Sequence, residues 1–522
     1  MEGVPVGRHR STRDLRSGLS TSVANRMDHR TNHRHRHARG RSWQLPPLAG
    51  RRDERVRLFV SLAVLVVAVL LGGSAWPRHL GDLVVVVASL PLLVLVTGSS
   101  PPATGTRFER FFPSLVLLVV ALQLVPMPPA MWSALPGRST VEAVYRLFDR
   151  APPWLPLSLT PSGTLATLLF AVPPILLFHA VRRLSWEGRR RIVVVVIAAA
   201  VVDVSVSLAQ SVFGPQSPWN FYGTATTSMS TGLFNSQNHY PAIVYMAIPF
   251  VASTALHLRR RTGIGLTVLL PATLVLFTVL LLGALLSRSR AGMALTVVSL
   301  ATTALVFGIG SLRGRSIRAL VIGAALACVP LLWAVDREFA RIEARLDQNP
   351  IEDYRGTIFS TDLRAIGHHF PGGSGFGSFV DVYQTVEDPT KMISAFINFA
   401  HNDYLQIALE GGLPALVLSA MFFLWYGGRV VAITRSAATD PGVLEMRAAV
   451  TAITLVLLHS VVEYPLRTAA LAAVFAVACA ILTRPPDVAR RRIGDAASTK
   501  GDGKEAIDRP GDGSSPQPLS VS

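Results

Sequence analysis

The sequence predicts an all-α polytopic membrane protein with about 12 transmembrane helices. Three observations carry that reading. Half of the 522 residues are hydrophobic and the mean hydropathy is +0.41. Only 16% of residues are charged, against roughly 25% in soluble domains. Apolar runs recur along the chain, and roughly 18 to 20 such residues suffice for a helix to cross a bilayer. The two cysteines, Cys328 and Cys479, both lie inside apolar runs, which points away from a disulfide framework and from a cysteine metal site.

The chain opens with a basic tail. Residues 1–57 hold fourteen arginines, no lysine and five acids, a net +9 and half of the chain's +18. With few large apolar side chains, this tail is expected to be disordered. Histidines and arginines alternate from His29 to His37, and the guanidinium groups would repel a metal cation. No short apolar core with a cleavage site follows, so a removable signal peptide is not expected.

Spans are expected at 58–73, 83–96, 112–125, 165–181, 192–213, 240–256, 264–286, 293–309, 319–335, 404–426, 448–462 and 469–482. Residues 484–522, rich in Gly, Asp, Ser and Pro, are read as a second disordered tail. The segments that share a side with the N-terminus, 107–110, 182–191, 259–261, 313–318, 429–447 and 484–492, are all basic. The opposite segments, 74–82, 126–164, 214–239, 287–292, 336–403 and 463–468, mostly carry few positives for their length. The positive-inside rule then puts both termini in the cytoplasm and the long 336–403 loop, before the tenth span, outside. The same distribution makes anionic lipid headgroups, and not nucleic acid, the expected partner of the basic charge.

Several unusual groups gather on the outward side. His401-Asn402-Asp403 precedes the tenth span, with Glu410-Gly411-Gly412 a little further on. Ser287-Arg288-Ser289-Arg290-Ala291-Gly292 joins two spans with almost no loop. Arginines are costly near hydrocarbon and disfavoured on the outer face, so an anionic ligand accounts for them better than topology does. Within 336–403, Arg355 begins a stretch with helical apolar spacing that ends in His368-His369-Phe370-Pro371-Gly372-Gly373-Ser374-Gly375-Phe376-Gly377. No strand precedes those glycines, so a dinucleotide fingerprint is not supported, and a tight turn near the membrane is the preferred reading. Nor does a carboxylate or Cys lie at zinc spacing from His368 and His369. Gly232-Leu233-Phe234-Asn235-Ser236-Gln237-Asn238-His239 precedes the sixth span; Asn238 and His239 there are read either as caps or as substrate hydrogen-bonding groups.

Taken together these elements resemble the O-antigen ligase and polymerase family. The resemblance runs in order through about residues 155–482. It comprises a Pro-Leu-Ser-Leu-Thr-Pro element at 156–161, with Thr160 where the family has Asp; the Asn-His element ending at His239; Ser289-Arg290-Ala291; Arg355 with its histidine and glycine turn, where Phe370 intervenes before Pro371; His401-Asn402 with Gly412; and His459-Ser460-Val461-Val462-Glu463-Tyr464-Pro465-Leu466, with Glu463 replacing Asp. It implies a fold similar to other lipid-sugar-dependent glycosyltransferases, in a bacterial cytoplasmic membrane. It also implies transfer of a glycan from a polyprenyl-diphosphate carrier to a glycan or lipid acceptor, by inverting single displacement.

In that scheme His401 is the base, a role suited to a near-neutral imidazole. Arg290 and Arg355, with Arg288 a weaker third, hold the diphosphate, whose oxygens suit the planar guanidinium fork. Asn402, Asn238 and His239 are further substrate contacts. No metal and no cofactor is expected. The rival reading is a transporter or flippase of lipid-linked glycans or of a small anion, which predicts internal repeats and interrupted helices; no repeat between the two halves is evident. A purely structural partner in an assembly complex would leave His401 dispensable.

Overall fold

The computed structural model describes residues 48–75, 80–98, 105–224, 230–308, 350–393 and 395–483. Residues 1–47 of the first expected tail, the whole of the second and the ninth expected span, 319–335, lie outside these residues; residues 48–57, expected in the disordered tail, are instead helical and begin the first helix, which the apolar run carries backwards into the basic segment. Contacts divide the chain into Met1–Asp53, of which only the start of the first helix is described, and Glu54–Ser522.

The described helices are α1 (Leu48–Leu71), α2 (Leu80–Thr97), α3 (Arg107–Leu122), α4 (Pro129–Trp132), α5 (Ser139–Leu147), α6 (Pro161–Val181), α7 (Trp186–Phe213), α8 (Tyr240–Thr262), α9 (Leu266–Leu286), α10 (Arg290–Thr303), α11 (Pro350–His369), α12 (Phe379–Val386), α13 (Asp403–Thr434), α14 (Val443–His459) and α15 (Ala469–Ile481). Seven of them (α2, α6, α7, α8, α9, α10 and α13, two with short extensions) are long and apolar enough to cross a membrane, and the chain is a multi-pass helical membrane protein. A two-stranded antiparallel ribbon pairs β1 (Pro126–Met127) with β2 (Leu155–Pro156).

Helix starts follow caps and not the first apolar residue, which is why several helices outrun the apolar runs. Thr106 and Glu109 close a capping box at the head of α3. Ser185 caps α7, and Ser289 caps α10. At its far end α8 continues through Arg259, Arg260 and Arg261, which suit the negative end of a helix dipole, and stops at the left-handed Gly263.

Helix α8 is the centre of the bundle. It is buried without interruption from Tyr240 to Ser253 and packs against α7, α9, α10 and α14. A second group forms around α6, which packs against α2, α3 and α15. The short helix α15 runs from one end of the bundle to the other. Near its start the Ala470 amide donates to the Gly72 carbonyl; at its end the Ala480 and Thr483 carbonyls accept from Arg189.

Segments 126–164 and 350–403, read from sequence largely as loops, fold into a cap at the α15 start. Leu159 N donates to Ser374 O at 2.8 Å, and the Thr164 hydroxyl donates to Phe376 O at 2.6 Å. Tyr354, Ile358, Phe379, Val382 and Leu409 form its small core.

Helix α13 is broken at Gly412, whose φ of 56° and ψ of −149° are not helical. A Cβ there would collide with the Pro371 carbonyl, so glycine is required. Pro414 has no N–H to offer Glu410. The carbonyls of Leu409 and Glu410, freed from helical bonding, instead accept from Ser374 N and Gly375 N, each at 2.9 Å, while Leu413 N donates to Pro371 O. The glycine turn is thus spliced into the break.

Candidate active site

The site is built on the 460–468 connection between α14 and α15. Its centre is Glu463, only 1% exposed. Three ties fix the start of α13 against this connection. Asp403 N donates to Ser460 O at 2.9 Å, the Ser460 hydroxyl donates to Asp403 Oδ2 at 2.8 Å, and Asn402 Nδ2 donates to Val461 O at 2.8 Å. The Asn402 side-chain oxygen accepts from Tyr404 N and Leu405 N, so Asn402 is the N-cap of α13 and an anchor of the connection.

With that frame in place, four side chains from three segments converge on one carboxylate. His401 Nδ1 lies 3.4 Å from Glu463 Oε1. Asn238 Nδ2 donates to the same oxygen at 2.8 Å. His239 Nε2 is 3.8 Å from Oε2. Arg355, on α11, donates to Glu463 and also to the Val462 carbonyl at 3.1 Å. Neither Asn238 nor His239 caps α8 with its side chain; the cap role open for them in the sequence belongs to neither. His401 has a left-handed backbone, φ 50°, which costs a non-glycine residue free energy and marks sites where surroundings over-determine the chain.

An aromatic stack backs the cluster. The Tyr464 ring meets the edges of His239 at 4.7 Å and of His401 at 4.9 Å, and lies 4.5 Å from Phe399. Behind it, Arg467 bridges Asp403 Oδ1 and Glu410 Oε2, each at 3.4 Å.

Burial alone would raise the Glu463 carboxyl, but the His401 hydrogen bond and the neighbouring Arg355 and His239 outweigh it and hold the group at about 2. Burial lowers His239 to about 4, although Glu463 pulls it the other way. Near neutral pH the centre is therefore a carboxylate facing a guanidinium, with His239 neutral. A carboxylate against Nδ1 orients an imidazole and leaves Nε2 for proton transfer.

Arg288, in the turn between α9 and α10, and Arg290, the first residue of α10, are exposed. Arg288 shares the left-handed conformation of His401, φ 52°. Gly292, two residues after Arg290, packs so closely on Pro241 that a Cβ would collide. The arginine turn and the Asn238-His239 pair thus lie at the same end of the bundle, yet neither arginine belongs to the hydrogen bonds of Glu463. The glycine turn is no phosphate cradle: the amides of Gly373, Ser374 and Gly375 are bonded to protein carbonyls. His369 sits at the end of α11 with Nδ1 on Ala365 O at 3.0 Å.

Sequence reasoning singled out His401, Arg355, Asn238 and His239 but not the group that joins them. Glu463 entered it only as a replacement for Asp in a motif, and Tyr464 and Arg467 were not singled out. The available signal was an acid between two apolar spans, a placement that is costly unless it is paired.

No curated protein matches the chain. Residues 274–420, a stretch that includes Arg288, Arg290, Arg355 and His401, match the family model described as O-antigen ligase.

Proposed function

We propose that the chain is a glycosyltransferase that moves a glycan from a polyprenyl-diphosphate carrier to an acceptor hydroxyl at the outer face of the membrane, as a polysaccharide polymerase or ligase. The observation that supports this most is the convergence of His401, Arg355, Asn238 and His239 on Glu463, within a chain whose residues 274–420 match the O-antigen ligase family model.

In this reading Glu463 accepts from His401 Nδ1–H and holds the tautomer whose Nε2 is free. Nε2 takes the proton of the acceptor hydroxyl as its oxygen bonds to the anomeric carbon. The bond from that carbon to the carrier diphosphate breaks on the opposite face, and its electron pair leaves with the phosphate, inverting the centre. Arg355, already turned toward Glu463, and the exposed Arg290 and Arg288 meet the developing charge, with no metal called upon. Asn238 and His239 fix Glu463 from the α8 side. Both termini are assigned to the cytoplasm by the basic loops.

A transporter is favoured by one observation, the interrupted helix α13. However, the Leu409 and Glu410 carbonyls freed at the break accept from the glycine turn, which leaves them committed to protein and not to a travelling ion.

The test is transfer by purified full-length protein from a polyprenyl-diphosphate oligosaccharide to candidate acceptors. His401→Ala is expected to lower product formation per folded molecule by about 10²- to 10⁴-fold while the protein stays folded and monodisperse. Full activity in that variant removes the base assignment.

A further inference from the structure

A cavity of about 460 Å³ lies beside the Glu463 cluster, between α2, α6, α12 and the start of α13. Its size is within the range of small-molecule sites, roughly 300 to 1,000 Å³. Three rings, Phe170, Phe379 and Phe399, line it together with three carboxylates, Asp82, Asp381 and Glu410, and Arg467. One buried oxygen of Asp82 has no hydrogen-bond partner. Asp381 is exposed and accepts from the Thr160 hydroxyl at 2.6 Å; Thr160 stands where the resembled family carries an acid. The Arg467 charge is met by Asp403 and Glu410.

Exposed Asp381, with Asp403 and Glu410 set against Arg467, leaves the fixed charge around this space negative. A diphosphate would be repelled from it, whereas hydroxyl groups would find charged acceptors and the C–H faces of sugar rings would find aromatic faces. The wall toward the catalytic cluster is two rings thick. Phe399 lines the cavity, Tyr464 lies 4.5 Å behind it, and His401 lies 4.9 Å beyond Tyr464. Asn398, also in the lining, hydrogen-bonds Tyr464. A saccharide of more than one ring spans that separation.

We infer that this cavity is a saccharide subsite for the phosphate-free, hydroxyl-rich acceptor chain, separate from the arginines that face the carrier diphosphate. The inference rests on the transfer reading above and divides its two substrates by charge.

The experiment uses full-length protein in lipid nanodiscs and two probes. One is the oligosaccharide released by mild acid from the producing cell's own surface polysaccharide, free of lipid and phosphate. The other is undecaprenyl diphosphate without sugar. Asp381→Asn keeps an oxygen for Thr160, and Ala166→Trp fills the cavity from α6. Each is expected to weaken oligosaccharide binding by roughly tenfold or more and to leave undecaprenyl diphosphate binding unchanged. The inference is overturned if wild type does not bind the oligosaccharide, if both variants keep its affinity within tenfold, or if both probes weaken together. Failure of the transfer reading is distinguishable, because wild type would then bind oligosaccharide yet form no product.

Discussion

The two ends of the bundle each bury a charge, and they treat it differently. At one end Arg189 is fully buried. Its guanidinium donates to the carbonyls of Arg182, Leu184, Ala480 and Thr483 at 2.6 to 3.2 Å. Arg182 is the residue that ends α6, Leu184 lies in the turn that follows, and Ala480 and Thr483 are at the end of α15, so the charge sits at the negative ends of two helix dipoles. One side chain thereby closes two helices. At the other end Glu463 is as buried, but its partners are side chains from three other segments. Two of them reach the surface: His401 is 10% and Arg355 29% exposed. A charge satisfied by backbone is locked with the fold. A charge satisfied by side chains with spare donors and access to the outside is free to exchange protons and partners. That difference separates architecture from chemistry in this molecule.

The contrast can be broken most directly at Glu463. Glu463→Gln keeps the shape and removes the charge; turnover per folded molecule is expected to fall roughly a hundredfold, the scale of orienting partners, and the unfolding temperature falls with the loss of the stability that the charge adds. Equal turnover in the variant would make the cluster architecture as well. At the opposite end, Arg189→Met removes the guanidinium from four carbonyls, of which Ala480 O keeps a local donor, Thr483, and is expected to cost roughly 3 kcal/mol or more of stability, read by thermal unfolding, while turnover per folded molecule stays at the wild-type value. A loss of turnover without a loss of stability would erase the distinction.

Acid sharpens it further. His239 drops from the ordinary 6.5 to about 4 in the folded chain, so the unfolded chain binds the extra proton first and stability falls as pH drops from about 6.5 toward 4. Glu463, held at about 2, adds stability that is complete above the ordinary carboxylate range and is lost as pH falls through its folded value. Unfolding temperatures measured between pH 7 and 4 should decline, and His239→Gln should remove part of that decline. A slope identical to wild type would show that His239 is not the group responsible. The smallest effect is expected at the edge of the site. Asn402→Ala removes the α13 cap at a cost of about 1 kcal/mol, seen as a modest drop in unfolding temperature; a neutral result would mean that the ties through Asp403 and Ser460 suffice.

Much of this was legible in residues. Apolar runs located α6, α7, α8 and α9 because a bilayer-spanning helix must be apolar over most of its length. The runs failed where length is set by other forces: α8 extends through three arginines to Gly263, and α13 breaks at a glycine inside an apolar stretch. The same limit applied to the site. Arg355, His239 and His401 were visible as polar residues at costly places, and Asn402 as well, although its side chain turns out to cap a helix.

By itself the sequence determined a multi-pass helical membrane protein, the sidedness expected of its charges, and the residues that do not belong in hydrocarbon. Only the tertiary structure decided that Glu463 is the point where they meet, that the glycine turn mends a broken helix, and that an acidic, aromatic cavity lies two rings from His401. The reason is physical. Periodicity and hydropathy act between neighbours in the chain, whereas a carboxylate's partners are chosen by packing among residues as much as 225 positions apart, as Asn238 and Glu463 are.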